Sequence, residues 1–202
     1  LFAQDYRTWN DYGGGPDSSQ YTSLTQINRS NVSKLQVAWS YKIGENKRYS
    51  FNPVVVDDLM YVMGAGNSIV ALKAATGKPV WTWTPPADTK AITTRGINYW
   101  ESKDRKDRRL FLASNHIMRA IDALTGKVIE TFGTNGGVDL REGLDRDPKM
   151  LTVLQSLSPG RIFEDLIIVG SATNQGYGSA PGDIRAYNVR TGKLAWTFHT
   201  IP

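Results

Sequence analysis

The stretch Ala71–Trp83, ALKAATGKPVWTW, recurs as AIDALTGKVIETF at Ala120–Phe132 and as AYNVRTGKLAWTF at Ala186–Phe198. Each copy has an alanine, four residues, Thr-Gly-Lys and then an alternating apolar segment. The residues before Thr-Gly-Lys (Ile69-Val70-Ala71-Leu72 in the first copy, Ile117–Ile121 in the second) are β-formers. Gly77, Gly126 and Gly192 are free to take positive φ in a tight turn. Val80-Trp81-Thr82-Trp83, Val128–Phe132 and Leu194–Phe198 supply the returning strand, so each copy predicts a β-hairpin. Upstream lie further strand candidates: Leu59–Met63, Arg109–Ala113 and Leu166–Gly170, preceded by Pro53–Val56, Ile97–Trp100 and Ser156-Leu157-Ser158-Pro159. Four short strands per unit, with turns at Asp57-Asp58 and Glu164-Asp165, are predicted.

A self-similar unit of four strands is the sequence signature of a β-propeller blade, which takes about 40–50 residues. The Thr-Gly pairs lie 49 and 66 residues apart. The first interval fits, and the loop Gly133–Lys149, rich in glycine and charge, supplies the excess in the second. A long loop on a rigid scaffold is a usual place for function. The expected fold is all-β: about three four-stranded antiparallel blades of an incomplete propeller, forming one partial domain over residues 1–202. The lead-in covers 1–40, and the units cover about 41–84, 92–133 and 150–200. Asn28–Leu35 is expected to form a helical turn capped by Ser30 or Asn31. A sandwich with coincidental turns is the competing fold. Three blades do not close a ring, so the chain reads as a piece of a longer polypeptide or as part of an assembly.

Composition narrows the function. With 40% hydrophobic and 21% charged residues the 202-residue chain can bury a core. There is no cysteine, hence no disulfide framework or thiolate metal site. No run of eighteen apolar residues exists to span a membrane. Leu1-Phe2-Ala3-Gln4 fits either what remains after a leader is processed or a few residues upstream of that point. The net charge of +5 raises the prior for an anionic partner. The densest run, Lys103–Arg109, alternates bases with acids and has no interleaved aromatics, so it reads as a solvated hairpin turn and not a nucleic-acid surface. His116 and His199 lack metal-ligand spacing and read as structural or solvated. Asp122, in Ala120-Ile121-Asp122-Ala123, is expected to bond the turn that follows it.

Trp9-Asn10-Asp11-Tyr12-Gly13-Gly14, Tyr21–Asn28, Asn31-Val32, Leu35 and Val37-Ala38-Trp39 resemble the mature start of the pyrroloquinoline quinone-dependent alcohol and glucose dehydrogenases. The repeats resemble that family's tryptophan-docking motif, with Glu130 in place of the tryptophan in the middle copy. Thr93–Trp100 resembles its Arg-Gly-x-x-Tyr-Trp segment. The resemblance implies an eight-bladed propeller with the quinone at its centre and calcium beside it, this chain being the N-terminal portion. It also implies oxidation of an alcohol or sugar hydroxyl, an electron acceptor such as a cytochrome or quinone, and a periplasmic location.

Site residues carry over one by one. Arg95 matches the arginine that contacts the quinone; the cofactor bears three carboxylates, and a guanidinium is a rigid fork of donors. Ser156 falls where the family has a cofactor-bonding threonine, and a hydroxyl keeps that capacity. Gly170–Gly176 matches the loop reaching both quinone and metal, making Ala172 and Thr173 cofactor candidates and Asn174 and Gln175 metal candidates. Here the family carries an acidic ligand, whereas Asn and Gln offer only neutral carbonyl oxygens, so weaker calcium affinity is expected. Ser50 stands where a glutamate is common, and Thr89-Lys90 stands where methanol-oxidising members have adjacent cysteines. The family's catalytic base, a metal-binding Asn and the Trp beneath the quinone lie in later blades. The competing reading is a non-catalytic propeller scaffold of the outer-membrane assembly type, which shares the repeat; a nucleic-acid binder rests on charge alone.

Overall fold

The computed structural model describes residues 6–44, 49–90, 92–151, 154–156, 158–174, 176 and 178–200. Three four-stranded antiparallel sheets follow one another along the chain, each a simple meander. The first consists of β1 (Val54–Val56), β2 (Leu59–Met63), β3 (Ile69–Lys73) and β4 (Pro79–Trp83). The second consists of β5 (Asn98–Glu101), β6 (Arg108–Ser114), β7 (Ile117–Asp122) and β8 (Gly137–Asp139). A two-residue pair, β9 (Leu154–Gln155) with β12 (Ala172–Thr173), flanks the third sheet. That sheet consists of β10 (Arg161–Phe163), β11 (Leu166–Val169), β13 (Ile184–Asn188) and β14 (Leu194–Phe198). They are three successive blades of a β-propeller, with β5 and β10 in contact at the inner edge.

Both faces of the middle blade are covered, so alternate residues of one of its strands serve different cores. Leu110 and Leu112 of β6 join the cluster between the first two blades, with Tyr61, Ile69, Ala71 and Tyr99. Phe111 and Ala113 of the same strand join the cluster between the second and third, with Phe132, Leu154, Ile167 and Tyr187. A third, smaller cluster sets Val62, Val70 and Leu72 of the first blade against Trp39 and Tyr41 of the lead-in. Each fully buried Leu or Ile contributes roughly 1.5–3 kcal/mol.

The repeat motif makes the blade-to-blade joints. Asp122 Oδ1 accepts from the Leu124 and Thr125 amides and the Thr125 hydroxyl, closing the turn as expected. Asn188 does the same for Arg190 and Thr191. In the first copy Lys73 replaces the turn-bonding residue and pairs with Asp58 instead. Trp39 Nε1 donates to the Ala74 carbonyl at 3.0 Å, and Trp81 Nε1 donates to the equivalent Ala123 carbonyl at 3.1 Å. Each indole lies flat against the glycine of the turn it docks on. A Cβ on Gly126 would sit 2.5 Å from Trp81, and its φ is +73°. Gly126→Ala is therefore expected to cost about 2–4 kcal/mol, from left-handed strain plus overpacking. A urea-denaturation midpoint no lower than that of the unmodified protein would refute the docking account.

Three expectations are corrected. The fourth strand of the middle blade is not 128–132. Only Val128 bridges back, to Ile121, and the outer strand is β8, with Asp139 opposite Ile117. With Glu130 in place of tryptophan, the chain turns at 129–132, buries Phe132 against Phe111 with ring centroids 5.5 Å apart, and returns after Gly136. Part of the loop expected to be functional is thus a blade strand. Fully buried Arg185 ties its continuation to the third blade by donating to the Leu140 and Glu142 carbonyls at 2.6 and 3.0 Å. The first strand of the third blade is Arg161–Phe163 and not 156–159, because Pro159 has no amide to pair. The turn at 28–35 is a 3-10 turn, Val32–Lys34, without a side-chain cap. Asn31 instead accepts from the Asn28 amide and donates to the Gln26 carbonyl.

Candidate cofactor site

In a four-stranded meander, the loop entering the first strand and the loop joining the second to the third lie at the same end. Ser50, Arg95 and Ser156 sit in entering loops, and Ala172, Thr173 and Asn174 sit in the β11–β13 loop. All are therefore at one end of the blades, while the Thr-Gly-Lys turns are at the other. Gln175 lies outside the described residues.

Hydrogen bonds link these loops in series. Ser50 Oγ donates to the Thr94 carbonyl at 3.4 Å. The Asn52 amide and Nδ2 both donate to the Arg95 carbonyl, at 2.9 and 3.2 Å. Arg95 is therefore held by its backbone and its side chain is exposed. Thr93 Oγ1 donates to the Ser156 carbonyl at 2.8 Å. Ala172 pairs with Gln155, the neighbour of Ser156. Ser156 is buried and its hydroxyl donates to the Ser158 carbonyl at 3.1 Å, leaving its lone pairs to accept.

Some residues at this end had no role in the sequence reading. Trp9 bridges to β1 through a bond from the Val55 amide to its carbonyl at 2.8 Å. Tyr12 then packs on Gly96: a Cβ there would lie 3.1 Å from its ring, at a φ of +155°. Arg161 of β10 donates to the Tyr12 carbonyl at 3.3 Å and to Ser18 Oγ, and lies 3.4 Å from Asp11 Oδ1. One lead-in segment is thus fastened to the inner strands of the first and third blades and to the Arg95 loop of the second. Burial raises the Asp11 carboxyl above the usual carboxylate range, and the Arg161 charge offsets part of that rise. Tyr12 and Asp11 stand in the opening motif, whereas nothing near Arg161 in sequence marks it.

The opposite end has its own charged network. Lys103–Arg109 spans the β5–β6 turn and the first two residues of β6. Arg105 and Arg108 both reach Asp57 on the first blade, at 2.8 and 3.1 Å, and the Arg105 bond holds the Asp57 carboxyl below its usual range. Back at the Arg95 end, His116 in the β6–β7 loop and His199 after β14 each face an aspartate, Asp139 at 3.8 Å and Asp183 at 3.1 Å. Among the described residues no three His, Cys, Asp or Glu side chains gather to hold a metal.

The chemistry of the residues at the first end fits an anionic quinone: Arg95 is exposed there, and Ser50, Ser156 and Thr173 stand in loops at the same end. It fits calcium only weakly, through the neutral carbonyl of Asn174. Comparison with known proteins agrees with the fold. The family described as "PQQ: Glucose/ethanol/alcohol dehydrogenase, beta-propeller domain" matches residues 9–202, and the chain belongs to that family. The quinoprotein glucose dehydrogenase of Escherichia coli is 29% identical over 94% of this chain and 27% of its own length. The dehydrogenase subunit of the Acetobacter aceti alcohol dehydrogenase (quinone) is 33% identical over all of this chain and 26% of its own. The crystal structure of the quinohemoprotein alcohol dehydrogenase from Comamonas testosteroni superposes with a TM-score of 0.77 at 25% identity, over 99% of this chain and 28% of that one. The chain spans about a quarter of the length of these relatives.

Proposed function

We propose that the polypeptide containing this chain is a quinoprotein dehydrogenase that oxidises an alcohol or sugar hydroxyl with pyrroloquinoline quinone. The observation that carries this reading is Arg95. Its guanidinium is exposed while its carbonyl takes two bonds from Asn52, in a loop tied to the neighbouring blades. Bound quinone supplies the two-electron oxidant; the part of this chain is to hold and orient it. Arg95 pairs with a cofactor carboxylate or carbonyl oxygen, Ser50 and Thr173 offer hydroxyl donors, and Ser156 accepts. Asn174 and Gln175 contribute neutral oxygens to a calcium ion whose charged ligands come from other blades.

Residues 1–202 act as one partial propeller domain. The apolar strand β14, with Trp196 41% exposed, is the docking edge for a following blade, by the device that seats Trp81 on the second. Electrons leave to a cytochrome or quinone acceptor, and the location is the periplasm.

The test is a titration of the full-length polypeptide with pyrroloquinoline quinone, with and without calcium, followed by quinone absorbance and tryptophan fluorescence. Saturable, calcium-dependent binding is expected. Absence of binding with calcium present overturns the reading.

A further inference from the structure

The loop that carries Arg95 and the loop that carries Ser156 belong to different blades, and one side chain joins them. Thr93 is buried at the seam of the second and third blades. Its hydroxyl donates to the Ser156 carbonyl at 2.8 Å and accepts from the Ala113 amide at 2.9 Å. The Thr93 amide donates back to the Ala113 carbonyl at 2.9 Å. The residue is thus pinned to β6 on one side and uses its hydroxyl proton across the seam. Thr93 lies two residues from Arg95, and its acceptor is the main chain of Ser156 itself.

A second bond crosses the seam just behind the first: buried Asn98 donates Nδ2 to the Gly160 carbonyl at 2.8 Å. Phe111, Met118, Ile167 and Val169 of the buried cluster between the two blades line the space between these bonds. A hydroxyl that donates and accepts at once fixes both distance and direction, and valine, of the same shape, supplies neither bond.

We infer that Thr93 is a positioning residue: its hydroxyl sets the placement of Arg95 relative to Ser156 and so the width of the cofactor site. This rests on the quinone reading above.

Two measurements on the full-length polypeptide test it. In the first, quinone is titrated against Thr93→Val and Thr93→Ser. Valine is expected to weaken binding at least tenfold, and serine, which restores the hydroxyl, to bind within about twofold of the unmodified protein. In the second, without quinone, spin labels at Lys90→Cys and Ser158→Cys report the loop-to-loop distance. It is expected to lengthen or broaden with Thr93→Val and to recover with Thr93→Ser. Should valine prevent folding, Asn98→Ala removes the neighbouring bond and is expected to broaden the same distance. Valine binding like the unmodified protein, serine failing like valine, or weakened binding with an unchanged label distance each overturn the proposal. If the unmodified protein takes no quinone, the cofactor reading fails, while the label distances still decide whether Thr93 sets the seam.

Discussion

Arg109→Leu is expected to lower the stability of the folded polypeptide by roughly 2–4 kcal/mol, more than the loss of any single docking tryptophan's hydrogen bond. The reason lies in the joint between the second and third blades. The middle repeat has Glu130 where its siblings have Trp81 and Trp196, so it supplies no indole of its own to the third blade's Thr-Gly-Lys turn. The carbonyl that would accept it, Val189, corresponds to Ala74 and Ala123. It accepts from Arg109 Nη1 at 3.0 Å, and the Arg190 carbonyl accepts from the same nitrogen at 2.8 Å. Arg109 is 8% exposed. Asp107 meets it with both oxygens, at 2.7 and 2.8 Å. Arg190 lies 4.6 Å from the Trp100 ring centroid and Arg109 lies 5.9 Å from it, while the indole donates to the Glu164 carbonyl. Leucine would leave two carbonyls and a carboxylate without their donor; Arg190, 3.6 Å from Asp107, would compensate in part. Arg109→Lys keeps the charge but cannot fork to four acceptors, and is expected to fall between. Urea denaturation of the full-length variants checks this. A leucine variant within about 1 kcal/mol of the unmodified protein would show that apolar packing alone holds this joint.

The glycine at the centre of each repeat behaves alike in every joint, and the partner it faces does not. Trp39 and Trp81 lie on Gly77 and Gly126, whereas a Cβ on Gly192 would meet Val138 and the backbone of Gly133, whose amide bonds the Thr191 carbonyl at 3.0 Å. The hairpins of the first and third blades, the Thr-Gly-Lys turns and the blade count were legible because they rest on local chemistry: strand alternation, Thr-Gly-Lys, and Asp122 bonding its own turn. The replacement at the second joint was visible as an absence, Glu130 for tryptophan. The residue that fills it was not, since Arg109 and Val189 are 80 residues apart and meet only once the blades are stacked.

The candidate site divides the same way. Arg95, Ser50 and Ser156 stand in segments whose sequence resembles a known pattern, and folding brings their loops to one end. Thr93, Asn52 and Arg161, which hold those loops, work through main-chain carbonyls or through partners as distant as Asp11, and no spacing rule marks such contacts. The first strand of the third blade starts later than the sequence suggests, at Arg161, for a local reason: Pro159 cannot donate to a ladder.

Arg95→Ala is expected to weaken quinone binding by a factor of about 30–1,000, roughly 2–4 kcal/mol, while leaving the fold intact. The two halves of this expectation have separate grounds. Folding uses the Arg95 carbonyl, which accepts from the Asn52 amide and side chain, and alanine keeps that carbonyl. On the proposed reading binding uses the guanidinium, which is exposed, with Ser50, Ser156 and Thr173 in loops at the same end. A charge-assisted bond to a carboxylate is about twice as strong as a neutral one, and its loss leaves the cofactor anion without its counter-charge. Arg95→Lys is expected to recover part of the affinity, because the charge returns without the planar fork. Salt supplies an independent check. Binding of a cofactor with three carboxylates should weaken as ionic strength rises, and the alanine variant should show a shallower dependence because one ionic contact is gone. Equilibrium titration of the full-length polypeptide at several salt concentrations reads both effects. Equal affinities and parallel salt slopes for the two proteins would show that Arg95 faces solvent and that the quinone, if bound, is held from other blades.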